Sequence, residues 1–120
     1  MNNETNNTAD APVAQSNPTT KILAIGRLTA KGSVPSDLLP VMGKEVPATV
    51  RLYLAGKIEQ WWAKPDLSGV VFILNLTNTE EAHQLLEKLP LGVAGMMEFD
   101  FVPLAPLLPL NFLLTDSPEA

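Results

Sequence analysis

Glu98 and Asp100 stand two residues apart in the segment MMEFDFVPL, 96–104. Residues i and i+2 of an extended strand share a face, so the two carboxyls project to the same side. Met97, Phe99 and Phe101 fall on the opposite side and read as the core-facing set. Two like charges in a partly closed space raise the pKa of at least one of them, which suits a general base. Arg27 in KILAIGRL and Asn75 in VVFILNL belong to apolar strands that can share the acids' surface. There they would orient or neutralise an anionic carboxylate or a developing oxyanion. Gln60 and Trp62, in KIEQWWAK, complete the candidate substrate-contacting set. Plainer roles compete with these: the acids as solubilising residues at an open rim, and Arg27 as their salt-bridge partner.

Other site classes find little support. The chain has one histidine and no cysteine, which argues against a zinc site and excludes disulfides, thiolate ligands and cysteine nucleophiles. His83 lies beside an apolar helical stripe and not in it, so it reads as a boundary or exposed residue. Tyr53 reads as packing. No Gly-rich phosphate loop is present, and Ser33, Ser36, Ser68 and Ser117 lack the setting of a nucleophile elbow. No cofactor or metal is expected.

The net charge is −5, yet all eight basic residues fall between Lys21 and Leu114, whereas Glu4, Asp10, Asp116 and Glu119 lie towards the ends. The central region is therefore nearly neutral, without the basic face expected of a nucleic-acid binder. No apolar run approaches the roughly 20 residues that span a bilayer, and residues 1–20 lack the basic and apolar regions of a secretory signal. Neither nucleic acid nor membrane is an expected partner, and a cytoplasmic location is the expectation. Residues 1–20, without Leu, Ile or aromatics, read as a disordered lead to a domain spanning 21–103.

The elements that must position the candidate residues follow from periodicity. KILAIGRL, 21–28, reads as a strand apolar on both faces. Ser36 is the expected N-cap of a helix with Asp37 in its first turn. Pro40 is tolerable near that turn, but Pro47 should kink the helix or mark a restart, and Gly56 should stop it. KIEQWWAK forms the second strand, PDLSG a hairpin-like turn, and VVFILNL, 70–76, the third strand. Asn78 or Thr79 caps the next helix, which buries Ala82, Leu85, Leu86 and Leu89. PLGVAG reads as a loop leading into the fourth strand. The order β-α-β-β-α-β is the ferredoxin-like α+β arrangement: a four-stranded antiparallel sheet with two helices on one face.

Helices cover one face of such a sheet, yet the first three strands are apolar on both. A bare face of Leu, Ile, Val and Trp would be a large sticky patch, which a second copy packed sheet to sheet would cover. A homodimeric α/β barrel is the expected assembly, its lumen open to a small hydrophobic or carbonyl ligand. Strict alternation groups Ile58, Gln60 and Trp62 on one face and Glu59, Trp61 and Ala63 on the other. Trp61 is then expected under the helices and Trp62 in the lumen. LAPLLPLNFLL, within the arm 104–120, is apolar and broken by Pro106 and Pro109, and should dock on a neighbour or on its own domain.

LLEKLPLGVAGMMEFDFVPLAP carries a family resemblance. His83, Leu85, Leu86, Leu89, Pro90 and Leu91, then Glu98, Asp100, Pro103, Leu104 and Ala105, resemble the pattern of the muconolactone isomerases, with Gly56, Lys57 and Trp62 fitting the second strand. The resemblance covers about residues 21–106. It implies a dimeric α+β barrel able to assemble further, and an intramolecular double-bond shift in a small lactone or enone. Glu59, Gln60 and Ala63 replace the histidine and arginine that the resemblance implies along the second strand. Two alternatives stand beside the isomerase: a non-catalytic ligand-binding or assembly barrel, and a cofactor-independent monooxygenase.

Overall fold

The structure, a computed structural model, describes residues 18–107, and the fold is that of the compact unit Thr19–Leu104. The expected disordered lead and the Leu/Pro-rich arm fall almost wholly outside the described residues. Strand β1 (Lys21–Leu28) is followed by a 3₁₀ turn (Lys31–Ser33) and helix α1 (Pro35–Leu54). A hairpin of β2 (Ile58–Ala63) and β3 (Gly69–Leu74) precedes helix α2 (Thr79–Glu87), a single-turn helix α3 (Pro90–Val93) and β4 (Met97–Leu104). The strands form one antiparallel sheet in the order β2-β3-β1-β4. This is an α+β fold compatible with the ferredoxin-like arrangement.

Register decides which side chains meet the helices. Ala24 of β1 lies between Phe72 and Phe101, Gly26 is opposite Phe99, and Ile22 is opposite Leu74. These residues pack with Ala82, Leu86 and Leu89 to form the main core, joined by Ala48 and Leu52 of α1. The expected stripe of α2 is thus the one buried, and Asn78 caps that helix by accepting from the N–H groups of Glu80 and Glu81. A side chain at Gly26 has no room: a Cβ there would lie 2.6 Å from the Phe99 ring. The opposite face carries Leu23, Ile25 and Arg27 of β1, Val71 and Ile73 of β3, and Glu98, Asp100 and Val102 of β4.

Four local expectations need correction. Ser36 is not the N-cap of α1: Val34 holds that position without a side-chain bond, and Pro35 begins the helix, where its missing N–H costs nothing. Helix α1 does not restart at Pro47 but continues through both Pro40 and Pro47. An interior proline costs about 3 kcal/mol, which the partial burial of Leu38, Met42, Ala48 and Leu52 along the same helix helps to offset. The expected stop does hold. Gly56, at φ +80°, donates to Tyr53 while Lys57 donates to Leu52, closing a Schellman motif. PLGVAG is not wholly a loop, because Pro90 starts the turn of α3.

The fourth correction concerns the strict alternation along β2 that grouped Ile58 with Gln60 and Trp62. A β-bulge between Ile58 and Gln60 breaks the strict alternation of β2. Ile58 pairs with Leu74 and is buried in the helix-side core, so it does not share a face with Gln60 and Trp62. Beyond the bulge, Trp61 pairs with Phe72 and stacks on Tyr53 of α1 at 4.4 Å. Trp62 pairs with Val71 on the other face and is 63% exposed. Trp61 therefore sits on the helix side and Trp62 on the helix-free side, as alternation within residues 60–63 implies.

Candidate functional site

The helix-free face brings three of the expected residues together. Arg27 is paired in register with Glu98, and Asp100 lies one pleat further along β4 on the same face. The guanidinium forks between them, donating to Asp100 Oδ2 at 2.7 Å and to Glu98 Oε1 at 3.1 Å. All three side chains are well exposed, so the pairs contribute little to stability. What they provide is geometry: two carboxylates held on one face by a common cation. Beside them lie Ile25 and Val71, and then Leu23, Ile73 and Val102, each partly or well exposed.

The other expected residues are placed differently. Gln60 is opposite Ile73 and Trp62 opposite Val71, at the β2 edge of the same face, two strands away from the Arg27 cluster. Asn75 lies one residue past the end of β3. It accepts from Lys21 Nζ at 2.8 Å and donates to the carbonyl of Gly56 at 2.8 Å, which fastens the end of the hairpin to the stop of α1. Lys21 also pairs with Glu59 at 3.0 Å. His83 is half-buried at the boundary of the α2 stripe, paired with Glu87 at 3.0 Å and set edge-on to Phe101. A hollow of about 270 Å³ at the β4 edge is bounded by Arg27 and Glu98 on the sheet and by His83 and Glu87 on α2.

A residue that sequence reasoning missed sits on the helix side. Glu45 is the one buried charged side chain among the described residues, 6% exposed. Its Oε1 accepts the backbone N–H of Leu91 at 2.9 Å, and its Oε2 meets the Thr49 hydroxyl at 3.3 Å. Burial pushes the Glu45 carboxyl above the ordinary glutamate range, and the bonds from Leu91 and Thr49 only partly counter it. The signal was available: Leu38, Met42, Glu45, Thr49 and Leu52 recur at helical spacing, which puts an acid on an otherwise largely apolar stripe.

Glu45 lines an open cleft of about 570 Å³ between α1 and the β2–β3 side of the sheet. Its walls are almost entirely apolar, with Met42, Val46 and Val50 from α1 and Trp61, Val70 and Phe72 from the sheet. Trp62, although on the other face by register, also borders it near the hairpin end, as does Leu67. Leu67 adopts φ +62°, a left-handed conformation that a non-glycine residue rarely takes, within a turn in which Asp66 accepts the Ser68 N–H.

Among the described residues there is no group of three or more acidic or histidine side chains placed to hold a metal ion, and no helix long and apolar enough to cross a membrane. Comparison with protein-family models finds no match, and comparison with curated proteins finds no similar sequence.

Proposed function

We propose that the protein is a homodimeric α+β barrel of the muconolactone-isomerase-like kind, acting without a cofactor on a small lactone or enone. The observation that carries this reading is the fork of Arg27 between Glu98 and Asp100 on a largely apolar, helix-free sheet face. Two such faces packed together would cover Leu23, Ile25, Val71, Ile73 and Trp62 and enclose the charged cluster.

In that setting one carboxylate removes the proton from the carbon beside the substrate carbonyl. As it takes the proton it loses its charge, and the Arg27 N–H it held is freed for the enolate oxygen on which charge develops. Return of the same proton at the far end of the conjugated system completes the double-bond shift with no net gain or loss of atoms.

Turnover of butenolides and enones, followed by ultraviolet absorbance, tests the reaction. The Glu98→Gln/Asp100→Asn variant should lose about a hundredfold in kcat/KM. Wild-type activity retained in that variant would overturn the assignment of the base. Light scattering at micromolar concentration tests the barrel, for which a dimer mass is expected and a monomer is fatal.

A second reading is favoured by the exposure of both acids and their neutralisation by Arg27: the barrel binds or assembles without catalysis, and the acids keep an edge strand soluble. Absence of turnover by a dimeric wild type leaves this reading standing.

A further inference from the structure

We propose that the cleft under α1 is a second binding site, distinct from the sheet face, for a small, neutral, mainly apolar carbonyl compound whose oxygen accepts a hydrogen bond from the Glu45 carboxyl. Three observations converge on it. A volume of about 570 Å³, open to solvent on one side, falls within the range of small-molecule sites. The walls are apolar and partly aromatic, which suits a hydrocarbon body. Glu45 is the one ionisable side chain among the lining residues, so the site has a single ionisable anchor.

The anchor's state selects the ligand. α1 contributes Glu45 and Thr49, whereas the lining residues from β1, β3, β4 and α3 (Leu28, Val70, Phe72, Met97 and Leu91) bring no charge to compensate a carboxylate. Desolvation accordingly favours the neutral acid. Oε1 is engaged by the Leu91 N–H, which leaves Oε2 to carry the proton. Its contact with Thr49, at 3.3 Å, is long, and the Thr49 hydroxyl already donates to the Glu45 main-chain carbonyl at 2.9 Å. In the protonated acid, Oε2 is then a donor whose one hydrogen-bond partner among the described residues is that long contact with Thr49. An anionic ligand would meet apolar walls and no cation among the lining residues, so carboxylates are disfavoured.

Acetophenone and its isostere α-methylstyrene, which has a methylene in place of the carbonyl oxygen, test this on the full-length chain. Trp61 and Trp62 are the chain's two tryptophans and both border the cleft, so fluorescence quenching reads occupancy. Saturable quenching is expected, with acetophenone roughly tenfold tighter than α-methylstyrene, the worth of one hydrogen bond to a buried group. That ratio should shrink as the pH rises through the Glu45 ionisation. It should become pH-independent in Glu45→Gln, whose amide keeps a donor as well as an acceptor for Leu91, and vanish in Glu45→Leu. The Glu98→Gln/Asp100→Asn variant should bind as wild type does, which separates this site from the sheet face. Quenching without saturation, equal affinity for the two probes, or a wild-type pH profile in Glu45→Gln would each overturn the proposal. Glu45→Gln, which retains the Leu91 bond, serves as the folded comparison should Glu45→Leu fail to fold.

Discussion

The Glu45 carboxyl accepts the backbone N–H of Leu91 at 2.9 Å, joining residues 46 apart in the chain. The middle of α1 is thereby tied to the first turn of α3 by an ionisable group in apolar surroundings. Such a group stabilises the fold only while its charge is suppressed or fully compensated.

The tie makes stability depend on pH in a definite direction. The Glu45 pKa is raised in the folded state, chiefly by desolvation, so the native protein holds this proton more tightly than the unfolded chain does. Its contribution is full below the ordinary glutamate pKa of about 4.3 and is lost as the pH rises through the raised value. Glu45→Gln should melt above wild type at neutral pH, and with a flatter pH profile. Glu45→Leu, which orphans the Leu91 N–H, should lose about 1–3 kcal/mol in denaturant unfolding. A Gln variant that melts below wild type at neutral pH would falsify the account.

Gly26→Ala should destabilise the domain by about 1–3 kcal/mol, because its Cβ would meet the Phe99 ring at 2.6 Å and Met97 Sδ at 3.0 Å. Phe99 also lies against Phe72 and Phe101, which limits how far the ring can retreat. Urea unfolding measures the loss. Adding Phe99→Leu should restore part of it, and a double variant no better than additive would point to another cause.

Arg27→Met should change subunit stability by no more than about 1 kcal/mol, since both of its ion pairs are exposed. Turnover and dimer formation should suffer far more if the sheet face is the working surface. Parallel urea and kinetic measurements separate the two effects. A large stability loss with unchanged turnover would assign the cluster a structural role.

The neighbouring tryptophans should respond differently to truncation. Trp61→Ala removes the stack on Tyr53 and part of the cleft wall, and should cost about 1–3 kcal/mol. Trp62→Ala, at a position 63% exposed, should cost less than about 1 kcal/mol in unfolding and, if two copies pack through the sheet face as proposed, weaken their association. Equilibrium sedimentation of the two variants checks the contrast. Equal effects on both stability and association would contradict the assignment of the pair to opposite faces.

Much of this was readable locally. The alternation Met97-Glu98-Phe99-Asp100-Phe101 told which side of β4 is core, and the 82-85-86-89 spacing told which side of α2 is buried. Both are periodic patterns that depend on a single element. The convergence of Arg27 with Glu98 and Asp100 was legible only as an option, because it needed the pairing of β1 with β4 in one particular register. Asn75 looked like part of the third strand, yet its bonds to Lys21 and Gly56 come from elements 54 and 19 residues away.

The sequence by itself determined the order of elements, the apolar faces and the near-neutral charge of the domain, because propensity and periodicity act over a few neighbouring residues. Only the tertiary structure decided the bulge that turns Ile58 inward, the continuity of α1 through Pro47, and the burial of Glu45 beside the cleft. Each of these balances a local cost against contacts made far along the chain. A broken alternation, a proline without its N–H and a desolvated carboxyl are unfavourable in isolation, and become acceptable only where Leu74, the α1 packing and the Leu91 N–H compensate them.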